Sequence, residues 1–308
     1  MDEEKKKIWI LIVAIAIMAA LLAGYITLAV FFFYIPRFVV DFGKYDISEK
    51  PIEDEITVMS INVRGYTSAD KFRKSWFYRA KLQRYLIEEA EPDIIGFQEA
   101  TNPTIWYNER HLVGYTFVEK QMNFEDNDSN LFLAYRTDRF EKQEEGYFWL
   151  SETPDTPSKS WDTACVRYAA YVKLKDNRTG KTLVVLDTHL DHVSSAARAN
   201  GMQVILDKTE HLNADNLIIM GDMNSSYGGA AYKKAISAGL LDASEVAAKT
   251  YHGKGSTYHN WGEYLDGVPI DFFFVSPAIT VNEYYVFDKT FDGVYPSDHF
   301  PIVMKIEL

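Results

Sequence analysis

Cysteine is all but missing from this sequence. Cys165 stands alone, so no intrachain disulfide can form and a zinc site built on several cysteines is excluded. A solitary thiol is either a nucleophile or a small apolar filler, and the second, a buried hydrophobe, is the expectation. No His-Glu-x-x-His occurs, which removes the common helical zinc-hydrolase pattern, and no Gly-rich phosphate loop ending in Gly-Lys is present, which argues against an ATP-driven P-loop enzyme. Basic residues are also in short supply: 32 Lys and Arg face 44 Asp and Glu, for a formal charge of -12. A domain that grips long nucleic acids by their phosphates usually presents a basic face. The deficit weakens that class without removing it, because a bound metal supplies positive charge locally. Repeats and low-complexity tracts are lacking, and no Gly/Ser-rich linker divides the chain.

The most informative absence is that of charge between Ile8 and Ile35. About 20 apolar residues cross a bilayer core, so this run suffices with tilt to spare. It is longer than the apolar region of a secretory signal, and its exit, Val30-Phe31-Phe32-Phe33-Tyr34, is bulky where a cleavage site requires small residues. The expectation is an uncleaved anchor over residues 8–35, with Trp9, Phe33 and Tyr34 at the interfaces. Lys5, Lys6 and Lys7 precede it, whereas Arg37 and Lys44 lie farther from its other end. The positive-inside rule then makes residues 1–7 a cytoplasmic tail at the cell membrane and puts the remainder outside the cytoplasm. Residues 36–54 read as a linker, and 55–308 as one catalytic domain.

Within that domain the apolar pattern alternates between strand and helix. Residues 55–62 alternate and are β-branched, as a strand should be. A helical pattern over 75–90 ends at Pro92, and Ile94 opens a buried strand. Further strands are expected near 131–135, 171–174, 181–188, 216–220, 270–276, 281–287 and 302–307, and helices over 196–212 and 232–238.

Polar residues gather at the ends of these strands. Asn62, Glu99, His189, Asp222 with Asn224, Asp271, and Asp298-His299 all sit where an apolar run stops or starts. Any one of them would ordinarily be a turn former. Six such tips together make a functional set, since rigid strand ends hold chemistry well. Carboxylates and amides suit a hard cation such as Mg2+. Two histidines and a metal meet the needs of phosphoryl transfer: neutralised oxygens, a positioned nucleophile and a protonated leaving group.

The motifs carrying these residues resemble the endonuclease/exonuclease/phosphatase (DNase I-like) superfamily, in its order: Ser60-Ile-Asn62-Val, Gly96-Phe-Gln-Glu99, Thr188-His189-Leu, Gly221-Asp222-Met-Asn224, Ile270-Asp271-Phe-Phe and Ser297-Asp298-His299-Phe-Pro. The stretch Tyr147–Pro154, with Trp161-Asp162 and Arg167, looks like a branch of bacterial relatives near the deadenylase-like subgroup, which with the N-terminal anchor makes a bacterial membrane-anchored branch. The resemblance implies an α+β fold, a four-layered α/β/β/α sandwich after one transmembrane helix. It implies Mg2+ or Mn2+ held by Glu99 with Asn62, and Asp298 on a second metal or water. It implies Asp222 orienting or deprotonating the attacking water, Asn224 holding that water or a phosphate oxygen, an Asp271–His299 pair, and His189 on the phosphate or leaving group. Arg167 is a candidate substrate contact, with a surface salt bridge as the alternative. Asp191 is read as a helix cap instead of a second cation ligand.

The superfamily spans lipids, nucleotides and nucleic acids, so the fold does not choose the substrate. An anchor favours lipid-linked or small phosphoesters by proximity; an extracellular nuclease is the rival enzyme, and an inactive binding module the remaining reading. Phe291 and Tyr295, beside the Ser-Asp-His motif, touch substrate or pack on the sheet. No obligate protein partner is called for; the membrane and a phosphoester are the expected partners.

Overall fold

The computed structural model describes residues 2–29, 43–119, 130–212 and 215–308. They fall into two compact units, residues 1–43 and 44–308. In the first, α1 (Glu3–Ala29) is a single helix, apolar and exposed from Ile8 onward. It is long and apolar enough to cross a membrane. Its aromatic exit, residues 30–34, lies outside the described residues.

The second unit runs β1 (Tyr45–Asp46), β2 (Ile56–Asn62), α2 (Trp76–Ala90), β3 (Ile94–Ala100), α3 (Asn102–His111), β4 (Leu112–Val113), β5 (Tyr115–Glu119), β6 (Asn130–Arg136), β7 (Phe140–Trp149), β8 (Tyr168–Asp176), β9 (Thr182–His189), α4 (Ser195–Glu210), β10 (Asn216–Asp222), α5 (Ala230–Ser237), β11 (Leu241–Asp242), α6 (Ala243–Val246), β12 (Lys249–Tyr251), β13 (Asp271–Val275), β14 (Thr280–Val286) and β15 (Ile302–Glu307). One sheet has the order β12-β14-β15-β2-β3-β6-β5, the other β11-β13-β10-β9-β8-β7.

Strand alternation explains the layering, because successive side chains leave opposite faces. Ile56 and Val58 of β2 and Phe273 and Val275 of β13 enter the core between the sheets. Met59 and Ile61 instead meet Trp76 and Ile87 of α2 outside the first sheet, and Phe272 and Phe274 meet Ala231 and Ala235 of α5 outside the second. Central strands thus bury both faces, which is why they read as nearly continuous apolar runs. The result is the expected α/β/β/α sandwich.

Three elements differ from the sequence expectation for physical reasons. Strand β7 carries Glu141, Lys142, Gln143, Glu144 and Glu145, all exposed, on the edge of its sheet; charge protects an edge from stray pairing and erases the apolar alternation. Helix α3 opens on Asn102-Pro103, where Pro is tolerated in the first turn, yet its polar composition hides it. Tyr45 and Ile47, assigned to the linker, are buried in the core beside Leu112.

Candidate functional site

Register brings the strand tips together. β9 and β10 are parallel with His189 opposite Asp222, and β10 is antiparallel to β13 with Asp222 opposite Asp271. These three share the inward face with Val185, Met220 and Phe273, so they form the polar end of the inter-sheet core. Asn62 reaches the same place from β2. The sheets approach closely beneath, since a Cβ on Gly96 would stand 2.5 Å from Met220 Cε; within the second sheet, one on Gly221 would stand 1.9 Å from the Thr188 carbonyl oxygen of the neighbouring strand. Just below the tips Gln98 Nε2 donates to Asp187 Oδ1 at 2.6 Å and to Ser60 Oγ at 3.1 Å, tying one sheet to the other. Burial holds the Asp187 carboxyl well above the usual carboxylate range.

His299 and its carboxylates form the centre. Its Nδ1 lies 2.9 Å from Asp271 Oδ2, and its Nε2 3.7 Å from Asp222 Oδ2. Burial alone would lower this imidazole, but Asp271 and then Asp222 outweigh it and raise it to about 10, so it is an imidazolium near neutrality. Asp222 is pushed up to about 7, first by burial and then by the charge of Asp271. His189 Nε2 lies 3.4 Å from Asp222 Oδ2; burial, then Arg167, drives its pKa well below the ordinary value, so it is neutral. Asn224, in the left-handed region with φ 45°, donates its backbone N–H to Asp222 Oδ1 at 2.9 Å and a side-chain N–H to the Leu190 carbonyl at 3.0 Å.

Asn62 is placed differently from an oxygen ligand. Its Oδ1 accepts the Arg64 backbone N–H at 3.1 Å, while its Nδ2 donates to Glu99 Oε1 and Asp222 Oδ2, each at 3.1 Å. The backbone donor fixes which amide atom is which. Asn62 here positions two carboxylates.

Glu99 sits on an irregularity in β3, with φ 56° and a register shift between Phe97 and Ala100. This bulge turns its carboxylate toward the cleft. Among the described residues Oε2 meets the Arg64 guanidinium, at 3.9 Å, and the Asp298 carboxylate reaches the same guanidinium at 3.8 Å. Oxygen donors with excess negative charge fit a hard divalent cation. Asp222, Asp271 and His299 also bring ligand atoms within 4.8 Å of one another. That trio suits a cation less well, since an imidazolium has no lone pair to offer and the Asp271–His299 contact is a hydrogen bond. The Glu99 side could therefore hold a cation more readily than the trio.

Above these groups opens a cavity of about 470 Å3, lined among others by Arg64, Tyr66, Arg167, His192, Asn224 and Tyr258. Arg167 is 8% exposed, its Nε has no partner, and its closest polar contact is His192 Nδ1 at 3.4 Å. The surface salt bridge weighed from sequence does not form among the described residues. The helix cap expected of Asp191 is supplied by Ser194, whose side chain accepts from Ala197 N–H; Asp191 instead braces the turn before α4, where Oδ2 accepts from the N–H groups of Val193 and Ser194 and Oδ1 accepts from Ala164 N–H and the Thr163 hydroxyl. It thereby pins the loop before Arg167 to the start of α4. Cys165 corrects the expectation of burial. It is exposed, on that irregular loop, and lines the cleft. Phe291 packs on Tyr85 at 5.7 Å and Tyr295 on His259 at 4.5 Å, so both serve packing.

Arg64 escaped sequence reading, and so did two buried residues of α2. Arg79, fully buried, donates to the carbonyls of Lys74 (2.6 Å), Val63 (3.1 Å), Pro296 (2.8 Å) and Arg64 (2.5 Å). Gln83, one turn on, donates to Val63 and Pro296. Together they clamp the loops of Asn62 and Asp298. The visible signal was a polar i, i+4 pair in line with the apolar residues Trp76, Ala80, Leu86 and Ile87 that the helix buries. A second cavity, about 530 Å3 among Lys173, Lys181 and Asn216, lies at the opposite strand ends and holds none of these groups.

Residues 59–299 match the Endonuclease/Exonuclease/phosphatase family. The chain is similar to an endonuclease/exonuclease/phosphatase structure from Bacteroides vulgatus, at 28% identity and TM-score 0.78, covering 83% of this chain and 100% of the other. It is similar to a Bacteroides thetaiotaomicron mannosyl-6-phosphatase at 29% identity and TM-score 0.75, with 82% and 100% covered. Zebrafish (D. rerio) TDP2 complexed with a single-strand DNA product shares the fold at 19% identity and TM-score 0.66, with 83% and 100% covered. A curated relative, an uncharacterized protein of Acanthamoeba polyphaga mimivirus, is 25% identical over 273 residues, 81% of this chain and 99% of that one.

Proposed function

The chain belongs to the endonuclease/exonuclease/phosphatase family, and on that premise we propose that it hydrolyses small phosphoesters with Mg2+ or Mn2+ while anchored in a membrane by α1. Its broad chemistry is that of a phosphoesterase or nuclease. The observation that carries the finer reading is Arg167, a buried guanidinium at the cleft without a carboxylate partner among the described residues. A buried cation needs a counter-charge, and a phosphoryl group entering this cavity supplies one in the fork geometry arginine prefers. The cavity suits a sugar phosphate or nucleotide in size, and a relative at 29% identity is a mannosyl-6-phosphatase. The acidic balance of the chain also favours a small ester over a long polyanion.

In this reading Glu99 is the chief metal ligand and Asp298 acts through water. The metal, when bound, neutralises phosphate oxygens and lowers the cost of forming the nucleophile. Asp222, held between Asn62 and the Asn224 N–H, takes the proton of the attacking water. Its elevated pKa makes it a competent base near neutrality. His299, kept as an imidazolium by Asp271, donates Nε2–H to a phosphoryl oxygen as charge builds. Neutral His189 steadies the same oxygens, beside Asn224 and Arg167. Residues 1–7 are read as cytoplasmic, 8–35 as the span, and the catalytic domain as extracytoplasmic.

The test uses the full-length chain in detergent on a panel of sugar phosphates, nucleotides, phospholipids, and single- and double-stranded DNA and RNA. Small phosphoesters should be cleaved with Mg2+ or Mn2+, not after EDTA, and not by His299→Ala. Turnover that survives EDTA, or cleavage confined to DNA or RNA, would sink this reading.

A further inference from the structure

Arg64 directly follows the Asn62-Val63 motif, and its backbone is pinned from both sides. Its N–H donates to Asn62 Oδ1 at 3.1 Å, its carbonyl accepts from Arg79 at 2.5 Å, and φ is 45°, a left-handed value that side chains seldom adopt. Such strain persists where surrounding contacts enforce it, often at functional sites. The contacts deliver the guanidinium to the carboxylates of the cleft. Nε lies 3.2 Å from Asp70 Oδ2 and 3.8 Å from Asp298 Oδ2, and Nη1 lies 3.9 Å from Glu99 Oε2. One side chain, a third exposed, thus reaches Glu99 and Asp298, which line the cavity, and Asp70 beside them.

We propose that Arg64 is the resident second cation of this site, filling with a fixed charge the place between Glu99 and Asp298 that a second divalent ion would take. Two-metal phosphoesterases set two ions about 3.5–4 Å apart, bridged by carboxylates. Here a guanidinium stands within 4 Å of both candidate carboxylates and repels any further cation. The protein therefore binds one divalent ion per chain. The proposal rests on reading Glu99 as the ligand of that ion.

The experiment counts ions directly. The full-length chain in detergent is titrated with Mn2+ and followed by calorimetry and electron paramagnetic resonance. Wild type should bind one ion, with the spectrum of an isolated Mn2+. Arg64→Met, which keeps the stem and removes the charge, should bind two and add the spectrum of a spin-coupled pair; Arg64→Lys should stay at one. Arg64→Gln replaces the Met variant if that variant lacks the wild-type thermal transition. Two ions in wild type, or a single ion in the folded neutral variant, overturns the proposal. Wild type that binds no ion overturns both the metal reading and this proposal. A Glu99→Gln variant that keeps the first ion removes Glu99 as ligand, while the count in the Arg64 variants still judges Arg64.

Discussion

Replacing Arg167 by Met should pull stability and activity in opposite directions. The guanidinium is buried, its Nε is unpaired, and no carboxylate lies within 4 Å among the described residues. In the free protein it is a cost, because a buried charge whose closest polar contact is His192 at 3.4 Å regains little of its lost hydration. Removing it should leave the melting temperature unchanged or raised. With substrate bound the balance reverses. A unit charge about 4 Å from a phosphate charge contributes about 4 kcal/mol at an effective dielectric near 20. At roughly 1.4 kcal/mol per decade that is about a thousandfold in kcat/KM. Arg167→Lys keeps the charge, loses the fork, and should fall between. The assay pairs kcat/KM on the best phosphoester with calorimetric melting in the presence and absence of inorganic phosphate, which should stabilise wild type more than the Met variant. A loss of activity under tenfold, or a lower melting temperature with activity intact, would mean that Arg167 only supports its loop.

Three further outcomes follow from the same geometry. A protonated Asp222 cannot accept the proton of water, so kcat/KM should rise with pH through about 7, and fall again as His299 loses its proton near 10; a profile flat from pH 5 to 8 would remove Asp222 as the base. Arg79→Met strips a buried donor from four carbonyls and should cost about 3–5 kcal/mol in chemical denaturation, whereas a loss below about 1 kcal/mol would deny it the clamping role. Protease added to intact cells should digest the domain after α1, and full protection would reverse the orientation drawn from Lys5, Lys6 and Lys7.

Motif order and spacing were enough to place the strand tips, because each motif joins a local apolar run to the polar residue that ends it, and both are written in adjacent letters. The same holds for α1, where the absence of charge is itself the signal. Strand β7 and helix α3 stayed hidden since their polar composition reflects an edge and a surface position, which no local pattern announces.

The sequence by itself therefore determined the sandwich, the apolar span and the inventory of acids, amides and imidazoles. Only the tertiary structure decided how they pair. Asp271 meets His299 across 28 positions, and Asn62 spans 160 to reach Asp222. Tertiary packing also turned Asn62 into a donor, brought Arg64 among three acids, exposed Cys165 and left Arg167 without a counter-charge among the described residues. Charge state and partnership depend on distance and burial, and both are properties of packed neighbours that the order of residues does not record.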